Sequence, residues 1–313
     1  MGNTRVLTES AVTLALYSIL LLMSLYVPIL GLITFFLLAL PFVVYTARRG
    51  WKNGSVLFIA ATILTVLIGS LISIPIVILF GTSGVIIGYL YKLNKSRYEI
   101  LAIGTIAFIV NLLLLYGILV SFMGIKPIEQ FNVSAQHSLQ TFQDKMSVWG
   151  QTLNENQIKQ FEEAFELAPL LIPTVLVILA TFLAFVTQLI STPILKRFNF
   201  KVEKWPPFRE IKLPRSIIWY YLIVMILMMT QVIDKESVLY VGVINLFFVL
   251  ELLMVIQGLS FIFFFSYHKK LSNGIPITIL ILSLFLPFLL YIVRIIGIID
   301  LGFNIREEVK KSS

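Results

Sequence analysis

The chain has no cysteine among its 313 residues, which excludes disulfides, thiolate metal sites and cysteine nucleophiles together. Charge is scarce too, at 13% of residues. The two histidines, His137 and His268, both lie in polar segments, and neither belongs to a zinc-binding pair. No glycine-rich loop is present to cradle a phosphate, so ATP hydrolysis by that route is excluded. No serine–histidine–acid set can be assembled either. The residues therefore predict no enzymatic activity, no metal and no cofactor.

What the chain has in abundance is apolar sequence. Hydrophobic residues make up 58% of it and mean hydropathy is +0.96. A soluble domain cannot hide that much apolar surface, because its exterior must stay polar. A spanning helix needs about 20 residues to cross roughly 30 Å of hydrocarbon. The expected fold is all-α, a polytopic membrane helix bundle of about nine spans, with eight as the alternative count. The expected spans run over residues 9–27, 29–47, 55–72, 74–92, 99–123, 168–195, 216–233, 238–266 and 275–298. The first is read as a retained helix, since no small-residue cleavage site leads into polar sequence after it.

The net charge of +8 could suggest nucleic acid, but its placement speaks against that partner. Lysine and arginine cluster in alternate short loops: Arg48 to Lys52, Lys92 to Arg97, Lys196 to Arg215, and Lys269 with Lys270. The positive-inside rule then puts the amino terminus and these loops in the cytoplasm. Nine spans place the carboxyl-terminal tail outside. If one of the last three segments is re-entrant, eight spans cross and the tail is cytoplasmic.

Two polar segments interrupt the apolar pattern. Residues 124–167 read as an outer helical hairpin. Leu139, Phe142, Met146, Trp149 and Leu153 stripe its first helix, and Asn154 with Gln157 opens a second striped by Ile158, Phe161 and Phe165. Residues 197–214 contain Pro206, Pro207 and Pro214, which prevent a continuous helix. They read as a cytoplasmic strap with Trp205 at the interface. The expected organisation is a six-helix block over 1–197, followed by the strap and three further helices over 198–313.

Ionisable groups inside a membrane are costly enough to need a reason. Glu251 sits mid-span in FFVLELLMV and must be neutral, paired or in a wet cavity. Arg294 is its natural partner. Measured from the outer ends of two full spans, however, the two differ in depth by roughly 14 Å. Direct contact then requires tilted or shifted helices; otherwise Arg294 reaches the surface or meets Asp300. Asn245 and Gln257 lie six residues either side of Glu251 and point in other directions. Asn111, Gln188, Asn245, Glu251 and Arg294 are the ligand-binding candidates, with inter-helix hydrogen bonding as their plainer role. Ala11 with Ala15, Gly84 with Gly88, and Ala180 with Ala184 mark close helix contacts. Trp149 and Trp205 are further candidates for partner contact.

The opening stretch LTESAVTLALYSILLLMSLYVPILGLITFFLLALPFVVYTARRGWKNG and the closing RIIGIIDLGFNIREE resemble the YybS family of bacterial multi-pass membrane proteins. More distantly, three features are similar to the substrate-binding S-components of energy-coupling-factor transporters. They are Ala11 and Ala15 in the first helix, a hairpin returning to the basic loop Arg48 to Gly54, and a six-span block. That similarity implies a small-solute-binding subunit in the lipid bilayer whose alanine pair packs on a membrane coupling subunit with ATPases. The outer insertion and the three additional helices depart from it. The alternative is a membrane scaffold or regulator that recruits envelope proteins through the outer hairpin and the strap.

Overall fold

Hydrocarbon offers no hydrogen-bond partner to a peptide group, so apolar sequence in it must close its own backbone bonds as helix. A computed structural model describes residues 2–124, 126–148, 153–203, 205–230, 232–272, 274–303 and 305–311. Every regular element among the described residues is helical, and no strand occurs among them. Seven helical stretches there are long and apolar enough to cross a membrane: Thr4–Tyr26, Pro28–Arg49, Trp51–Gly69, Leu71–Lys92, Arg97–Ser121, Glu155–Arg197 and Val238–His268. Ser216–Thr230 and Gly274–Phe285 are apolar but shorter.

In chain order the helices are α1 (Gly2–Tyr26), α2 (Pro28–Leu37), α3 (Leu40–Arg49), α4 (Trp51–Gly69), α5 (Ile74–Val77), α6 (Ser83–Lys92), α7 (Arg97–Met123) and α8 (Pro127–Val148). They continue with α9 (Glu155–Leu167), α10 (Ile172–Arg197), α11 (Ser216–Thr230), α12 (Val238–His268), α13 (Gly274–Phe285), α14 (Pro287–Phe303) and α15 (Ile305–Lys311). The helices α8 and α9 fall where the outer hairpin is expected, and α9 starts directly after Asn154, its expected cap. Trp149 lies outside the described residues.

The chain forms two compact units, Met1–Glu155 with Val175–Lys204, and Asn156–Thr174 with Trp205–Ser313. The division passes through the strap. The segment 156–174 joins the second unit rather than the six-helix block. Asn245 accounts for part of this: its side chain accepts from Thr174 N–H at 2.8 Å and from Thr174 Oγ1 at 2.6 Å. It also donates to the Leu170 and Val241 carbonyls, each at 2.7 Å.

In the first unit, α1 and α2 reverse about one residue. Val27 is extended (φ −116°, ψ 101°) because Pro28 follows it and disfavours the helical region. Tyr17, Phe42, Phe80 and Phe108 fill the centre, fully buried, and the Tyr17 and Phe42 rings meet edge-on at 5.1 Å. The glycine pair picked out in the sequence lets α6 lie on α3. A Cβ on Gly84 would come within 2.8 Å of the Ala39 carbonyl oxygen, and one on Gly88 within 2.5 Å of Val43's. At the foot of α1, Glu9 takes Arg48 Nη2 at 2.5 Å and pairs with Arg49 as well.

Candidate functional site

The second unit is organised by α12, and its register against α14 fixes everything else. Glu251 pairs with Arg294, a Cβ on Gly297 would strike the Met254 carbonyl, and Gln257 Nε2 donates to Asp300 Oδ2 at 2.5 Å. Partners advance three residues at a time along both helices, so α12 and α14 run in the same direction. The connection from His268 to Gly274 can reach only about 20 Å. The start of α14 lies well up α12, so α13 must climb antiparallel to α12 and α14 must descend again. The two short helices form a hairpin that returns to the His268 end of α12, where it began.

The turn at the tip repeats the chemistry of Val27. Leu286 N–H donates to Leu282 O at 2.9 Å and Leu290 N–H to Leu286 O at 3.3 Å. Val27 does the same with Met23 and Gly31, at 3.1 and 2.6 Å. A proline follows in both cases, and one non-helical residue is enough to redirect the chain.

The close approach of α12 and α14 depends on two glycines facing each other. A Cβ on Gly258 would fall on the Val293 carbonyl, as one on Gly297 would on Met254's. Above this crossing, toward the hairpin tip, the Glu251–Arg294 pair is partly open, at 23% and 13% side-chain exposure. It borders a cleft of about 250 Å³ whose walls include Ser283, Leu284, Pro287 and Tyr291. The Arg294 guanidinium lies 4.1 Å over the Tyr291 ring. At 1.5 Å per residue, Glu251 stands about 25 Å from the His268 end of α12 and about 20 Å from the other. The depth mismatch expected from sequence disappears because it presupposed a last helix crossing the full width. With α14 starting partway along α12, Arg294 meets the glutamate. Asp300 has a different partner.

Below the crossing lies a second polar cluster, fully packed. Arg306 Nε donates to Asp300 Oδ2 at 2.9 Å and Oδ1 at 3.2 Å. Its Nη1 donates to the Arg209 carbonyl at 3.0 Å and its Nη2 to Ser260 Oγ at 3.1 Å. Gln257 Oε1 accepts Leu213 N–H at 2.9 Å, and Ser260 Oγ lies 2.7 Å from the Ile211 carbonyl. Asp300, Gln257 and Ser260 are completely buried. The tail helix α15, the strap over 208–213 and the lower part of α12 are thereby tied together. The tail and the strap lie at the same end of the unit, as the arrangement with a re-entrant segment requires. Reporters fused after Lys311 and inserted beside Lys212 should read the same side of the membrane; opposite sides would disprove the re-entrant pair.

Comparison with known proteins gives a match over residues 15–301 to the family described as Predicted membrane protein (DUF2232). The chain belongs to this family. The Uncharacterized protein YybS of Bacillus subtilis (strain 168) is 31% identical over 311 residues, which covers 99% of this chain and 100% of that one. No solved structure matches. The DUF2232 match takes in Glu251, Arg294 and Asp300 and ends before Arg306.

The remaining candidates of this DUF2232 protein are separate from the cleft. Asn111 donates to Thr82 Oγ1 at 2.7 Å and Ser83 Oγ at 2.9 Å, beside the π-helical turn 78–82 of the first unit. Gln188 is buried, and its Nε2 has no hydrogen-bond partner among the described residues. Asn245 uses both donors and both acceptor positions on backbone and Thr174, which leaves nothing for a ligand. Ala11 and Ala15 are exposed on α1, and Trp205 is half-buried in the strap. Sequence reasoning missed Arg306 and the two glycines Gly258 and Gly297. The glycines carry no four-residue spacing within either helix, so no small-residue motif signals them.

Proposed function

We propose that this integral membrane protein binds a small solute as part of a transport system, at the cleft beside Glu251 and Arg294. The observation that carries the reading is an accessible carboxylate–guanidinium pair at mid-depth, next to the tip of a re-entrant helix pair. Intramembrane ionisable groups mark solute and ion paths. Short helices that end inside the bilayer are tolerated where they line a cavity and recur at midplane binding sites. Of the seven residues lining the cleft, six come from α13 and α14, so a solute there would contact chiefly this hairpin. The basic loops place the amino terminus in the cytoplasm on this reading, and the tail with it. The exposed Ala11 and Ala15 are available to a coupling subunit with ATPases, as the resemblance to S-components implies.

Mass spectrometry of the full chain purified in nanodiscs should find a retained small molecule, lost in the Glu251→Gln/Arg294→Gln double variant. Substitution of Ala11 by leucine should release a copurifying membrane partner without loss of the small molecule. A preparation that retains neither would remove the basis of the proposal. Scaffolding through the strap would then be the better account.

A further inference from the structure

We infer that the cleft takes a small organic monoanion, bound to Arg294 together with one proton that settles on Glu251. This rests on the reading above and names the class of solute. The pair is already joined, so any charged ligand must replace one of its two members. The members are not equivalent. A cation joining Glu251 would strand Arg294, and a guanidinium keeps its charge in proteins. That charge would stay uncompensated in a mostly apolar cleft. An anion joining Arg294 would strand Glu251 instead, and a carboxyl group can accept a proton and become a neutral donor. Only the acid can shed its charge, so only anions can displace it cheaply.

The surroundings agree. Tyr291 of α14 lies under the guanidinium, Tyr221 of α11 is a further titratable neighbour of Arg294, and the Ser283 hydroxyl in the α13 wall donates to the Leu280 carbonyl at 2.8 Å. No other charged side chain lines the cleft among the described residues, and Asp300 is held by Arg306. Leu284, Pro287 and Leu290 form apolar walls around about 250 Å³, which suits a short apolar body behind the anionic group. A planar guanidinium favours a carboxylate, which it can meet with two parallel hydrogen bonds. The exchange balances: the Glu251–Arg294 contact breaks, a ligand carboxylate takes the guanidinium, and a proton from water goes to Glu251. Site and ligand together keep the charge the empty site had.

The test is calorimetric titration of the full chain in nanodiscs with benzoate and hexanoate, from mildly acid to mildly alkaline pH. Glycine and tetramethylammonium serve as zwitterionic and cationic probes. One linked proton makes carboxylate affinity fall about tenfold per pH unit. Glu251→Gln should keep carboxylate binding and lose that slope, whereas the Glu251→Gln/Arg294→Gln variant should bind neither carboxylate. If Glu251→Gln does not fold, the slope of the unaltered protein decides. Carboxylate binding without pH dependence, tighter binding of glycine or tetramethylammonium, or no binding of either carboxylate overturns the proposal. A small molecule retained in mass spectrometry would in that case leave the solute-binding reading standing; if none is retained, both fall.

Discussion

Gly297→Ala should unfold the second unit at markedly lower temperature than the unaltered protein, and Gly258→Ala should do the same. In each case the new methyl would lie on a backbone carbonyl of the facing helix, Met254's or Val293's. A side chain could turn away from such a clash; a carbonyl held in a helix cannot. The helices would have to move apart, and overpacking of this kind costs about 1–3 kcal/mol by itself. Separation would also pull on Glu251–Arg294 on one side of the crossing and on Gln257–Asp300 on the other. Loss of the hydrogen bond to the buried Asp300 carboxylate adds roughly 1.5–3 kcal/mol. Thermal unfolding in detergent measures the outcome, with Gly242→Ala as the control. A Cβ on Gly242 meets nothing within 4 Å, so that variant should melt unchanged. If Gly297→Ala melted with it, the close crossing would be wrong.

Arg306→Ala should be comparably damaging, although the residue is near the end of the chain. Its guanidinium is the cation on a carboxylate with 0% exposure. Removing one member of a buried pair leaves the other charge uncompensated, at a cost of roughly 3–5 kcal/mol. The same side chain binds the strap carbonyl of Arg209 and the hydroxyl of Ser260, so the strap should loosen as well. Arg306→Lys should fail to restore stability, because a single ammonium cannot present the planar fork those acceptors need. Asp300→Leu combined with Arg306→Met should recover most of the loss, since apolar replacement of a whole buried pair is often neutral. Limited proteolysis of the strap offers a second readout. Protection equal to that of the unaltered protein in Arg306→Ala would argue against the tie.

Much of the first unit was legible. Pro28 forces Val27 out of the helix, and the chain turns there as expected. Gly84 and Gly88 share one face of α6, so their spacing alone announces a close neighbour, and α3 is that neighbour. Glu251 stood out in the second unit for an equally local reason: a carboxylate amid FFVLELLMV needs a partner. The choice of Arg294 could be guessed, but the depth calculation opposed it. That calculation took residues 275–298 as one crossing. Pro287 sits in the middle of that run, and a proline can kink a helix or end it at a turn; the local sequence does not distinguish the two. Asp300 and Arg306 were equally opaque. They sit on either side of a helix end, six residues apart, and their meeting depends on where the tail turns.

The amino-acid sequence by itself determined the solvent, the helical class and the need for a counterion at Glu251. Each follows from the free energy of placing peptide groups and charges in hydrocarbon, which depends on residue type and run length. Only the tertiary structure decided which way α14 runs, and with it the pairing of Glu251 with Arg294 and the end at which the tail lies. Direction is set where Gly258 and Gly297 let two backbones touch, and that contact joins residues too far apart in the chain for any local pattern to encode.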